Sequence, residues 1–225
     1  MSYFSIGSTG LVGSHFLSKA LESSQVSKIF TLTRRDPEVE NVKLVKILSK
    51  ETEKWGDEIK KADIPEHSTF FSSFGTTRKI AGSAENFVKI DHGINYESFK
   101  AAKESGKFDT AIIVSSMGAN KDSSFLYMKT KGQLEQDIID LNFERTIILR
   151  PGILLGERKT SKGWNNKIAE YVGSWTRGTF IGNTIGHPVY AEEVANCALK
   201  LSLKPIEKSG EVIIVTSEEI INTAK

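Results

Sequence analysis

Cysteine is almost absent from this chain. Cys197 alone excludes an internal disulfide, and its apolar neighbours predict a small buried side chain in a protein suited to a reducing compartment. Long apolar runs are missing too, so a helical membrane span is not expected. Apolar residues at YFSI, positions 3–6, predict a strand almost at the first residue. That leaves no room before it for a cleavable signal or an Arg-rich presequence. Neither sign of charge dominates: 30 Lys and Arg face 28 Asp and Glu, a formal net charge of +2. Basic residues never run longer than a pair, and Trp55, Trp164 and Trp175 form no base-stacking pattern with flanking basic residues. A nucleic-acid partner is therefore not expected. His15, His67, His92 and His187 are scattered without metal-ligand spacing, so no metal site is expected.

What the chain has in quantity is alternation. Short apolar runs at 3–6, 28–33, 42–47, 69–74, 110–116, 145–150 and 211–216 read as strands. Helical patterns lie between most of them, at 11–24, 52–62, 84–106 and 125–142. A further one follows a short extended piece within 187–203, where Val194, Ala198 and Leu201 face inward. Strands this apolar, separated by helices, predict a parallel sheet covered on both faces. The expected class is α/β, a Rossmann-like doubly wound sheet in one domain of 225 residues with a small C-terminal substrate-side lobe. Residues 156–187, rich in Gly, Asn, Thr and Trp, are the least regular stretch. They read either as a substrate-facing excursion or as a peripheral loop carrying one helix.

The sharpest motif is GSTGLVG, residues 7–13, placed after the first strand and opening the first helix. Gly7 permits a tight turn, Gly10 lets backbone approach a pyrophosphate, and Gly13 lets the helix pack close to the sheet. Unpaired N–H groups at the helix start, with the Ser8 and Thr9 hydroxyls nearby, then face the anion. About twenty residues on, where a carboxylate would hold the ribose of NAD, the chain has Arg34 and Arg35. Paired guanidiniums suit a 2′-phosphate, so the expected cofactor is NADP(H), with Asp36 offsetting part of that charge.

The spacing Tyr-x-x-x-Lys occurs twice, at Tyr96/Lys100 and at Tyr127/Lys131. Only the second follows a strand that ends in two serines, Ser115 and Ser116, at the carboxyl edge of the sheet. Residues four apart share a helix face, and a lysine ammonium beside a phenol favours the phenolate. Such a tyrosine can protonate a developing alkoxide while a serine hydroxyl fixes the carbonyl oxygen. Adjacent strand residues point to opposite faces, so one of Ser115 and Ser116 has this role; the sequence leaves both open. Gly75 and Thr76, after the fourth strand, run near the expected cofactor riboses, unless the GTTR segment only forms a turn.

These residues together resemble the short-chain dehydrogenase/reductase superfamily. SFGTTRKIAG (73–82), VKIDHGINY (88–96), SSMGANKDSSFLYMKTKG (115–132) and LRPGILLGER (149–158) are similar to its atypical Tat-interacting protein family, most of all the fungal, mitochondrial-proteome branch. That resemblance implies cofactor contacts from Thr9, Gly10, Leu11, Val12, Arg34, Arg35, Phe74 and Gly75. It implies Tyr127 and Lys131 as the reactive pair, with Leu154 beside the nicotinamide. It also implies loose attachment to the mitochondrial outer membrane, on the cytoplasmic side. The superfamily's usual helix asparagine has no secure counterpart; the register puts Asp91 there, with Asn95 one turn on. Three functions fit to different degrees: an NADPH-dependent reductase of a small carbonyl compound, an NADPH-sensing protein that contacts a protein partner, and an NAD-linked sugar epimerase or dehydratase, which the arginine pair disfavours.

Overall fold

A computed structural model of the chain describes residues 1–156 and 187–225. The excursion expected at 156–187 therefore lies almost wholly outside the described residues, together with the C-terminal lobe expected there.

Seven parallel strands form the central sheet: β1 (Ser2–Ile6), β2 (Lys28–Thr33), β3 (Leu44–Leu48), β4 (Ser68–Ser72), β5 (Phe108–Val114), β6 (Arg145–Arg150) and, last in the chain, β9 (Glu211–Thr216). Their order across the sheet is β3-β2-β1-β4-β5-β6-β9, so the chain leaves β3 at one edge and returns beside β1. That return is the topological switch point, and ligands of such sheets bind beyond the strand ends there. The fold is the Rossmann-like, doubly wound α/β architecture expected from the alternation. Two short strands, β7 (Leu154–Leu155) and β8 (Val189–Tyr190), pair with each other at the two ends of the undescribed segment.

Residue alternation along the strands assigns each face its cover. Tyr3, Ile29, Phe71, Ile112 and Ile147 point to the side of α1 (Leu11–Glu22), α7 (Ala191–Ser202) and α8 (Ser217–Ala224). Phe4, Phe30, Phe70, Ile113 and Ile148 point to the side of α2 (Trp55–Lys61), α5 (Asn95–Ser105) and α6 (Leu126–Asp140). In register, Phe4 lies between Phe30 and Phe70, and the three rings stack with centroids 6.4 and 5.8 Å apart. Aromatic neighbours on adjacent strands add to the area term.

Helix α1 buries Val12, Phe16, Leu17 and Leu21, the stripe its spacing predicts. Two elements carry no periodicity long enough to read from sequence: α3 (Arg78–Ala81), N-capped by Thr77, and α8, opened by a capping box from Thr216 and Glu219; α4 (Ala84–Val88), N-capped by Ser83, begins the helix expected from residue 84. The long helix expected over 84–106 is interrupted. After α4 the chain makes a π-helical turn, Lys89–Ile94, before α5 ends at Gly106 in the left-handed conformation.

The amino edge of the sheet is held by a buried guanidinium. Arg145 donates to the carbonyls of Lys204 at 2.8 Å and Ser202 at 3.1 Å, at the carboxyl end of α7, where a cation complements the helix dipole. Tyr3 shares a 2.7 Å hydrogen bond with Ser202 there, and burial pushes its phenol up to about 12. This end of the molecule is opposite the switch point.

Cys197 lies buried in α7, where burial pushes its thiol up to about 11. Iodoacetamide at pH 8 should leave the native protein unmodified and alkylate it fully in denaturant, as read by mass. Rapid alkylation of the native chain would contradict the packing of α7.

Candidate active site at the carboxyl edge of the sheet

Two loops meet at the switch point. The first, residues 7–10, turns on Gly7 at φ +83°, with Gly10 N–H donating to Gly7 C=O at 2.9 Å. A Cβ on Gly7 would sit 2.6 Å from the Phe74 amide nitrogen, so this loop and the one after β4 touch backbone to backbone. A Cβ on Gly13 would overlap the Gly7 carbonyl oxygen and approach the Ser73 hydroxyl to 2.6 Å. Gly7 is thus required by contact as well as by conformation, and Gly13 by contact alone. Gly10 N-caps α1 without any side-chain hydrogen bond, leaving the first turn, Leu11 to Gly13, uncapped by a side chain.

The two hydroxyls expected to join this cradle behave differently. Thr9 is exposed. Ser8 is buried and its hydroxyl bonds Ser5 at 2.8 Å, so only the Ser8 backbone is left for a ligand. That corrects the expected Ser8 contact. Its short side chain satisfies the buried Ser5 hydroxyl under the loop, as buried polar groups require.

Arg34 and Arg35, just past β2, are exposed. The Arg34 guanidinium lies 5.6 Å from the centroid of Phe74, which orients it over the second loop. Asp36 does not offset the pair. It is bound to Lys46 at 2.9 Å and accepts the Glu38 N–H at 2.8 Å; the Lys46 hydrogen bond, then the Glu38 amide, lower its carboxyl pKa. The Phe74 ring is buried against Trp55 at 5.0 Å, so it is the backbone of Phe74, with exposed Gly75, that borders the crevice.

The second loop is latched by the π-helical turn. Asn95 accepts from the Ser72 hydroxyl at 2.6 Å and donates to Phe74 C=O at 3.1 Å and Asp91 C=O at 3.0 Å. Asp91 accepts the Thr76 N–H at 2.7 Å through one carboxylate oxygen and pairs with the Lys131 ammonium at 2.9 Å through the other. The side chains are 1% and 7% exposed. The two residues that sequence register left as alternatives therefore have separate tasks: Asn95 holds the loop, and Asp91 meets the lysine.

Along α6, residues 127, 131 and 135 share one face. Tyr127 opens the helix 45% exposed, its ring 5.8 Å from that of Phe87 on α4. Lys131 lies one turn deeper, and Glu135 a turn beyond it is held by Arg150 of β6, with Nη2 to Oε2 at 2.6 Å. That hydrogen bond raises the pKa of Arg150 against the opposing cost of burial. The Ser115 and Ser116 hydroxyls are both buried without a hydrogen-bond partner among the described residues. Ser115 N–H and Met117 N–H still pair with Leu149 and Pro151 carbonyls at 2.8 Å, so strand alternation persists past Val114. Val114 packs on the α1 side, which turns Ser115 to the α6 side and Ser116 away from it.

Gly132 closes the 115–132 segment that carries the family resemblance, and the structure gives its physical reason. A Cβ there would overlap the backbone of Asn120 and Lys121, so the loop after β5 lies directly on α6. Asn120 N–H donates to Met128 C=O at 3.0 Å and closes the contact. Leu154, with Leu11, flanks the α1-side cluster, and a Cβ on Gly156 would meet Leu11 at 3.1 Å, so the segment after β6 approaches the start of α1.

The arrangement has two chemical features. It offers an uncapped helix start at the switch point, and it offers the orphaned Ser115 hydroxyl on the side of the Tyr-Lys helix. A dinucleotide fits the first, since the glycines there leave bare backbone where side chains would block it. The four segments come together only because β1, β4 and β5 are adjacent in the sheet.

Solved structures confirm the architecture. The chain superposes on MoeE5 in complex with UDP-glucose and NAD with a TM-score of 0.69 at 13% identity, covering 100% of this chain and 81% of that one. The oxidoreductase ylbE from Lactococcus lactis gives 0.65 at 16% identity, over 99% and 96% of the two chains. No protein-family model matches the sequence. Among curated proteins, the mitochondrial protein FMP52 of Candida albicans is 49% identical, across 100% of this chain and 98% of its own length. FMP52-1 of Scheffersomyces stipitis, also designated mitochondrial, is 50% identical over 95% and 93%. Identity at this level over the whole described and undescribed length places the chain in the FMP52 family of fungal mitochondrial proteins.

Proposed function

We propose that this protein is an NADPH-dependent oxidoreductase of the carbonyl reductase type, an atypical member of the short-chain dehydrogenase/reductase class. One observation carries the reading: the uncapped glycine turn and the Tyr127–Lys131 helix face both lie at the carboxyl edge of the sheet, and the Ser115 hydroxyl, unpartnered among the described residues, is on the α6 side. The motif resemblance to the Tat-interacting protein family supports it independently.

In this reading the amides of Thr9, Gly10, Leu11 and Val12, with the Ser8 backbone, receive the diphosphate. Arg34 and Arg35 take the 2′-phosphate, and the backbone of Phe74, Gly75 and Thr76 borders the riboses. A bound dihydronicotinamide supplies the hydride. Ser115, on the α6 side, donates to the carbonyl oxygen and fixes its position. Tyr127 gives its phenolic proton to the developing alkoxide, and the Lys131 ammonium steadies the phenolate left behind. Exposed Met117, Phe125 and Met128 surround Tyr127 in sequence and favour a small carbonyl compound over a sugar. Peripheral attachment to the outer mitochondrial membrane is part of the same proposal. Among the described residues no helix is long and apolar enough to cross a membrane.

The test is consumption of NADPH, followed by its absorbance, against a panel of small aldehydes and ketones. Loss of NADPH only with a carbonyl present supports the reading. Tight NADPH binding with no consumption would favour the second reading, a sensor without turnover, to which the tied-up Lys131 lends some weight. Cofactor choice has its own prediction. The R34A/R35A double variant should bind NADPH roughly 10–100-fold more weakly, the loss of charged hydrogen bonds to one phosphate, while NADH affinity changes little. Equal weakening for both dinucleotides would remove the arginines from 2′-phosphate recognition.

A further inference from the structure

We infer that Asp91 is the positioning residue of this site: its carboxylate holds the Lys131 ammonium on the crevice floor and thereby sets dinucleotide affinity. The inference rests on the proposed function. A buried ammonium without a counter-charge is strongly unfavourable, and here both partners are almost fully removed from solvent. Around the ammonium, the facing charged and titratable groups are Asp91 from the π-helical turn and, on α6 itself, Tyr127 and Glu135 one turn to either side. Glu135 is occupied by Arg150. Asp91 is therefore the counter-charge available to Lys131.

The carboxylate is itself fixed from two directions. Its second oxygen accepts the Thr76 N–H, and its backbone carbonyl accepts from Asn95. Gly75 lies directly against the pair, where a Cβ would come within 3.0 Å of Asp91 Oδ1 and 3.6 Å of Lys131 Nζ. A side chain at position 75 would crowd the ion pair, and glycine there leaves it bare on that side. An ammonium has three donors, of which Asp91 takes one, so the others remain for sugar hydroxyls. The wider π-helical turn is what brings Asp91 to this spot, and such turns recur at functional sites. An aspartate here thus anchors the lysine directly, through a charge rather than through water.

The test is a double-mutant cycle read as the dissociation constant of NADPH by fluorescence titration. D91N keeps the shape and an acceptor for the Thr76 amide but removes the charge. Expected are about tenfold weaker binding for D91N and for K131M, and no further loss, within about twofold, when D91N is added to K131M. Equal weakening by D91N in both backgrounds would mean that Asp91 acts through the 74–76 loop, and an unaffected D91N would be as damaging; either overturns the inference. Should D91N alone not fold, D91N/K131M lacks the orphaned ammonium, and its comparison with K131M decides the matter. Wild-type protein that binds neither NADPH nor NADH would bring down the proposed function as well, and is recognised because all four proteins are then silent.

Discussion

Replacing Tyr127 with phenylalanine should lower kcat for carbonyl reduction by about 10²–10⁴-fold, the usual worth of a positioned general acid, while leaving NADPH affinity nearly unchanged. The ring would keep its packing against Phe87, so only the phenolic oxygen is lost. KM should move little, because the proton is delivered in the transition state rather than on binding. Ser115→Ala should follow the same pattern with a smaller loss, and Ser116→Ala should be close to wild type, since strand alternation turns Ser115 to the α6 side. Steady-state kinetics on the three variants with one carbonyl substrate checks the set. Undiminished turnover by Y127F would take the phenol out of the mechanism, and a larger effect at Ser116 would reverse the assignment of the two serines.

Gly132→Ala is expected to destabilise the fold by roughly 2–4 kcal/mol, at the upper end for a single added methyl. Its methyl would meet the backbone of Asn120 and Lys121 rather than the movable tip of a side chain. Either α6 shifts, carrying Tyr127 and Lys131, or the loop from Ser115 lifts. For a chain of this size the melting temperature should fall by about 4–16 °C, and activity should fall with it. Gly93→Ala is the matched control. It lies in the π-helical turn with nothing within 4 Å of its Cβ position, so its melting temperature should hold or rise slightly. Calorimetry of both variants measures the contrast; a neutral Gly132→Ala would show that the loop contact yields easily.

Much of the fold was legible because burial on both faces leaves a strong sequence trace. Strands β2, β6 and β9 match the apolar runs at 28–33, 145–150 and 211–216 to the residue. Strand β1 differs by one residue at its start, and β3, β4 and β5 differ by one or two residues at both ends, where hydrogen bonding rather than hydropathy sets the limit. The π-helical turn left no trace, since the apolar residues of 84–106 read equally well as uninterrupted helix. Helix α8 was missed because eight residues are too few to declare a period, although its capping box was present in the sequence.

Within the candidate site, the glycine turn was readable because its requirements are local: backbone conformation and the strand-to-helix junction both lie within seven residues. The partnerships were not. Ser8 turning to Ser5, Asp36 turning to Lys46 and Lys131 turning to Asp91 each depend on which neighbour the fold brings near, and outside a regular helix spacing along the chain does not specify it.

By itself, then, the sequence determined the α/β class, the glycine cradle after β1 and the Tyr127–Lys131 spacing, because each follows from periodicity or local conformation. Only the tertiary structure decided that Asp91 neutralises Lys131, that Ser115 turns to the α6 side and that Gly132 must be bare. Those depend on β1, β4, β5 and their helices being brought side by side, and contacts between segments that meet only in the fold, Asp91 with Lys131 or Gly132 with Asn120, have no signature in either segment alone.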